Sequence, residues 1–258
     1  MNPQIIGSSV SWADWLQTPA GLYLAEWETA QFDQAVADVF GYHGLQLGQP
    51  DLPSLRNSRI RHCWIGDNQL QAHTQASLFT DPVALPFPDQ SLDLVVLPHT
   101  LELSHDPHAS LREVERVLVP EGRVIISGFN PMSLWGQRQQ RARFVARLGV
   151  QTHFLPDDVD FIGYWRLRDW LRLLSFEVEA GRFGCYRPSV QSPQWLKRFA
   201  WMEKAGARWW PIFGAAYFLV GIKRVRGMRL MGPVWNRAKA SANHAVPTVN
   251  KTPQEPQA

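Results

Sequence analysis

The chain is poor in cysteine, with only Cys63 and Cys185 among 258 residues. Two thiols cannot build the multi-bridge framework of a small secreted domain, so a reducing, cytoplasmic setting is expected. The opening residues, MNPQIIGSSVSWADWL, lack a basic segment followed by an apolar one, and no secretory signal is visible. Long apolar runs are missing too. The longest, Trp209–Ile222, has 14 residues and is interrupted by Pro211, whereas a bilayer-spanning helix needs about 20. No transmembrane segment and no metal site are expected. Acidic residues are scarce at one end: residues 223–258 carry seven Lys or Arg against Glu255 alone, within a chain of net charge +3. The remaining 222 residues therefore carry a net −3. Such a tail reads first as a solvated extension, with attraction to nucleic acid or anionic membrane as the sharper alternative. The acidic body argues against nucleic-acid binding by the folded domain.

What is present is a globular composition, 45% hydrophobic and 19% charged, long enough for one α/β domain with additions. The clearest stretch runs from Thr80 to Asn130. Two apolar runs rich in Val and Ile, Leu92–Leu97 and Arg123–Ser127, flank a helical pattern over Ala109–Leu118 in which Leu111, Val114, Val117 and Leu118 share a face. Non-alternating apolar runs joined by an amphipathic helix predict a right-handed βαβ unit buried on both faces. Pro107 can start the helix, and Pro120-Glu121-Gly122 forms the turn after it. Ligands bind beyond the carboxyl ends of strands in such sheets, which places Pro98-His99-Thr100 and Gly128-Phe129-Asn130 at a candidate rim.

Around this unit, Pro19–Phe40 reads as a helix stopped by Gly41, and His43–Gly48, Ser58–Ile65 and Gln75–Thr80 read as the first three strands. Asp51–Asn57 allows at most two helical turns. Tyr164–Leu174 is an amphipathic helix, Phe176–Tyr186 an edge strand and Ala215–Val225 the last strand. Trp12, Trp15 and Leu16 could form one amphipathic turn in an otherwise aperiodic extension, residues 1–20. A basic segment, 137–148, contains Arg138, Arg141, Arg143 and Arg147, and reads as a solvated helix face or a receiver of acidic substrate. The alternation predicts a doubly wound, Rossmann-like α/β fold with a mostly parallel sheet and helices on both faces. The domain spans 21–226 with a Trp-rich insertion at 187–214, and 227–258 is a basic tail whose composition predicts disorder. The insertion could roof an acceptor pocket, rest weakly on a membrane surface, or pack over the sheet edge.

The pattern Asp81, Leu85-Pro86-Phe87, Asp93, Glu102, Asp106-Pro107, Glu113, Pro120-Glu121-Gly122 resembles the second half of a class I S-adenosylmethionine-dependent methyltransferase, closely over 80–130 and in outline over 20–225. The resemblance implies a seven-stranded sheet that finishes with an antiparallel strand, S-adenosyl-L-methionine as cofactor, and methyl transfer to an unidentified small or apolar acceptor. It places cofactor contacts at Gln46 and Gly48 after the first strand, Asp67 toward the ribose, Asp81 toward the adenine amino group with Pro82 packed on the ring, and Pro98 and His99 at the rim. His99 is also the candidate catalytic base. One departure stands out. Gln46 occupies the position of the family's acid, and Gln49-Pro50 replace its further glycines. Either the loop is a tolerated variant, with the Gln46 amide oxygen receiving the methionine amino group, or cofactor binding is lost and the chain is a non-catalytic interaction module. The missing Gly-x-Gly-x-x-Gly argues against a nicotinamide-dependent oxidoreductase. Oligomeric state is left open.

Overall fold

A computed structural model describes residues 12–68, 76–146, 154–155 and 159–224. Its seven strands are β1 (His43–Leu47), β2 (His62–Asp67), β3 (Leu78–Phe79), β4 (Leu92–Pro98), β5 (Leu118–Phe129), β6 (Phe176–Gly184) and β7 (Ala216–Lys223). They form one sheet in the order β3-β2-β1-β4-β5-β7-β6. β1 to β5 run parallel, and β7 is antiparallel to both β5 and β6. Among the described residues eight α-helices accompany them: α1 (Trp12–Leu16), α2 (Pro19–Val36), α3 (Thr100–Leu103), α4 (Pro107–Val117), α5 (Leu134–Ala146), α6 (Tyr164–Leu173), α7 (Pro193–Arg198) and α8 (Trp201–Trp209). No helix among the described residues is long and apolar enough to cross a membrane.

β4 shows why the sheet is covered on both sides. Its Val95 and Leu97 join Leu111 and Val114 of α4 and Leu167 and Leu171 of α6 in one cluster. The alternate residues Leu94 and Val96 face the other way, onto Phe32 and Val36 of α2. That is the period-2 alternation of a strand whose two faces are both apolar. The parallel βαβ unit lies where the apolar periodicity puts it. The Asp106 carboxylate caps α4 by accepting from the Ala109 amide at 2.9 Å, and Pro107 occupies the first turn.

Several boundaries move. α2 ends at Val36, before Gly41, because Gly41 serves a different need. A Cβ there would lie 2.4 Å from the Asp93 side chain, whose carboxylate accepts from the Tyr42 and His43 amides at 2.8 and 2.9 Å. β2 begins at His62 rather than Ser58, since pairing with β1 starts at His43↔His62. Asp51–Asn57 forms turns and no helix. β5 starts at Leu118 and carries the expected turn inside it, with Glu121 at a φ of +65°. The start of the expected third strand at Gln75, Arg147 and the tail 227–258 lie outside the described residues.

Phe32 is fully buried and meets Phe218 edge-on, with ring centroids 5.0 Å apart. Phe32→Ala is expected to cost about 3–5 kcal/mol, read as a lowered denaturation midpoint at unchanged m-value.

Candidate functional site

The strand order reverses between β1 and β4, because β1 continues outward to β2 and β3 while β4 continues to β5. Such a switch point opens a crevice beyond the carboxyl ends of the two strands. On the β1 side the chain leaves Leu47 through two successive left-handed residues, Gly48 at φ +75° and Gln49 at +48°. Glycine is required at the first of these: a Cβ on Gly48 would be strained and would stand 3.2 Å from the Thr100 hydroxyl. Thr100, the first residue of α3, donates its hydroxyl to the Leu47 carbonyl. The β1 and β4 exits are thus tied together across the crevice.

Gln46 is completely buried beneath this loop. Its side-chain NH2 faces three carbonyls: Gln49 at 2.8 Å, Leu52 at 3.0 Å and Gly48 at 3.3 Å. Three acceptors around one atom fix which end of the amide is nitrogen. The opposite end, Oε1, is buried with no hydrogen-bond partner among the described residues. An orphaned acceptor of this kind is uncommon in a folded chain. It lies beneath the left-handed Gly48–Gln49 turn and is chemically an acceptor for an N–H donor.

On the other flank, Asp67 ends β2 opposite Phe79, and its carbonyl accepts from the Thr80 amide at 2.9 Å. Asp81 lies one residue further, exposed, with its Oδ1 accepting from the Val83 amide at 3.1 Å. That is an Asx turn, in which the carboxylate holds its own loop. Pro82 beside it is buried. The structure therefore lines up Gln46, Gly48, Asp67 and Asp81 along consecutive strand exits, and Pro98 ends β4.

His99 is placed differently. It sits at φ +53°, and its ring is buried between Trp12 and Phe129, with centroids at 4.7 and 4.5 Å. Nδ1 lies 2.7 Å from Glu102 and Nε2 lies 2.8 Å from Glu28 of α2. Burial by itself would lower the imidazole pKa, but the two carboxylates outweigh it and hold the value up at about 10. Burial also raises the Glu102 carboxyl above its usual range, against the pull of His99 and of the Phe129 amide that donates to it at 2.7 Å. An imidazolium with both N–H groups engaged has no lone pair to accept a proton. The geometry speaks against the base role assigned to His99 from the sequence; its place is that of a clamp between α2, α3 and the end of β5. Glu28 was not recognised from the sequence, although a signal exists. It stands four residues after Leu24 and four before Phe32, a charge on the buried stripe of α2. Among the described residues no group of three or more His, Cys, Asp or Glu side chains is arranged to hold a metal ion.

A family model described as a methyltransferase domain matches residues 65–126. The chain is 33% identical over 185 residues to the Escherichia coli (strain K12) protein described as uncharacterized protein YafS, covering 70% of this chain and 71% of that one. It is 38% identical over 66 residues to the malonyl-[acyl-carrier protein] O-methyltransferase of Halorhodospira halophila, covering 23% of this chain and 22% of that one. Among solved structures, it is similar to a chain of the complex between the Haloferax volcanii Trm112 methyltransferase activator and a methyltransferase, with a TM-score of 0.56. That match has 16% identity and covers 85% of this chain and 99% of that one. At that identity the likeness is one of fold.

The clamp gives a pH signature. A His whose folded pKa is raised from 6.5 to about 10 contributes stability that is complete below pH 6.5, declines above it and is gone beyond about 10. The melting temperature is expected to fall across that window. Glu28→Gln, which preserves shape and removes one charge, is expected to move the decline to lower pH in calorimetric scans. His99→Leu leaves two buried carboxylates unpaired and is expected to cost about 3–5 kcal/mol.

Proposed function

The chain belongs to the class I S-adenosylmethionine-dependent methyltransferase family, whose members use S-adenosylmethionine as methyl donor, and from that premise we propose that it transfers the methyl group to a small or apolar acceptor in a reducing compartment such as the cytoplasm. The observation that carries this reading is the buried, unpartnered Oε1 of Gln46 beside the left-handed Gly48–Gln49 turn. An amide oxygen there accepts from the amino group of a methionine moiety without needing a formal charge. The two free thiols, Cys63 and Cys185, accord with the compartment.

The residues that would hold the donor are Gln46 and Gly48 at its methionine end, Asp67 toward the ribose hydroxyls, Asp81 and Pro82 at the adenine, and Pro98 at the β4 exit. When bound, the donor supplies a methyl group on a positively charged sulfur. The protein's part is orientation: Gln46 would fix the amino end, and Thr100, which donates to the Leu47 carbonyl, sets the spacing of the two strand exits. His99, already doubly bonded, shapes the rim from behind rather than moving the acceptor's proton. The non-catalytic alternative rested on the substitution at Gln46. Because that amide both secures the loop and leaves an acceptor free, nothing in the geometry favours it.

Isothermal titration with S-adenosylhomocysteine and S-adenosylmethionine is expected to give saturable binding in the micromolar range, about −8 kcal/mol. No heat at millimolar ligand would overturn the reading. Restoring the family's acid is expected to harm this chain. In Gln46→Glu a carboxylate faces the three carbonyls that now accept from the amide, so stability should drop by about 1–3 kcal/mol, with weaker binding. A stabilised variant with tighter binding would show the amide to be misassigned. Asp81→Ala is expected to weaken cofactor binding by about tenfold, the value of one hydrogen bond to a charged group; unchanged affinity would remove Asp81 from the site.

A further inference from the structure

The connection between β6 and β7 projects from the same rim as the crevice. Gly184 at the end of β6 pairs with Ala216 at the start of β7, which pairs with Phe129 at the end of β5. Residues 185–215 therefore leave and re-enter at the carboxyl end of the parallel strands. The inner side of this segment is firmly held. Glu203 of α8 accepts from the Tyr23 hydroxyl and from the Cys185 amide at 3.2 Å. Gly206 lies against Tyr186, where a Cβ would approach the ring to 2.3 Å. Asn130 donates to the Ile212 and Gly214 carbonyls at 2.7 and 3.0 Å.

The outer side is of another character. Trp195 is 48% exposed, Trp201 60% and Trp209 75%, and Ile212 and Phe213 are exposed beside them. Interleaved with these are Lys197, Arg198, Lys204 and Arg208, all exposed and paired with no carboxylate among the described residues. Trp201, Lys204 and Arg208 are spaced i, i+3 and i+7, one face of α8. The Arg198 guanidinium lies 5.3 Å over the Trp195 ring. Glu203 is the sole acid of residues 193–213, and it is turned inward. The outer side of this segment thus carries four positive charges, and the segment contributes no outward acid.

We propose that this face docks onto the surface of an anionic lipid bilayer. Trp209, Ile212 and Phe213 enter the headgroup–acyl boundary, and Lys197, Arg198, Lys204 and Arg208 meet the lipid phosphates. Indole rings, amphipathic by nature, settle at that depth, and interspersed cations select acidic lipid. A second copy of the chain is a poor occupant, because a two-fold contact would set four cations against four. Single-stranded nucleic acid also likes aromatics with cations, but it is tracked by a groove. Here Trp209-Trp210-Pro211-Ile212-Phe213 is a contiguous exposed run that includes aliphatic bulk, which stacking does not use and a bilayer does. The proposal does not depend on the methyl-transfer reading, since its readout involves no cofactor.

The test is sedimentation of the full chain with vesicles. Binding is expected to phosphatidylglycerol–phosphatidylcholine mixtures and not to pure phosphatidylcholine, with a blue shift of tryptophan emission and release by about 0.5 M salt. The double substitution Trp209→Ser with Phe213→Ser is expected to weaken partitioning by about tenfold at unchanged melting temperature. Lys204→Glu with Arg208→Glu is expected to abolish the preference for acidic lipid. Failure of the full chain to sediment overturns the proposal. So does wild-type binding by both double variants, which would assign the affinity to residues 225–258. Capture of single-stranded DNA through the same four positions, without vesicle binding, overturns it as well.

Discussion

The buried Glu28–His99–Glu102 chain is the constraint on which the rim of the sheet depends. It joins α2, the loop leaving β4, α3 and, through the Phe129 amide, the end of β5. The three side chains are shut away from water and hydrogen-bond to one another, with Glu102 also accepting from the Phe129 amide. Removing any one member strands another in a site closed by Trp12 and Phe129. The triad therefore specifies how α2 lies across the strands. It also engages both ring nitrogens of His99.

The β1 exit departs from the family's pattern in a way its hydrogen bonds explain. An acid at position 46 would accept from a ligand but could not donate to the loop carbonyls of Gly48, Gln49 and Leu52. Glutamine donates to those carbonyls and keeps Oε1 without a partner among the described residues. The loop lacks the further glycines that close approach favours, and its left-handed residue Gln49 is held instead by the same amide. The substitution and the lost glycines are two aspects of one arrangement.

Much of the fold was legible because it is written in periodicity. β4, α4 and the core of β5 have apolar residues wherever a doubly covered sheet needs them, and the antiparallel end pair followed from the family resemblance. Boundaries were less legible where a long-range contact decides them. β2 starts where its partner begins, at His62, and Gly41 answers to Asp93, fifty-two residues away in sequence, rather than to the helix before it. At the site, single positions were readable and combinations were not. Gly48 announced itself by type, whereas the occupation of both His99 nitrogens depends on Glu28, seventy-one residues upstream. A charge on an apolar helical stripe is visible in sequence; its partner is visible only in space.

The rim that holds the crevice is also the rim from which the cationic aromatic face projects, because β6 and β7 connect beyond the ends of β1, β4 and β5. Two consequences follow from that shared position. A protein resting on a bilayer by this face would turn its crevice toward the lipid, so an apolar acceptor could reach the site laterally without first paying to enter water. An acceptor dissolved in water would gain nothing from the arrangement, and the exposed tryptophans would then be a standing liability for aggregation. Asn130 and Glu203, which hold the insertion's inner side to β5 and α2, keep the outer face in fixed relation to the crevice. Orientation of the site relative to the surface is built into the same hydrogen bonds that close the core.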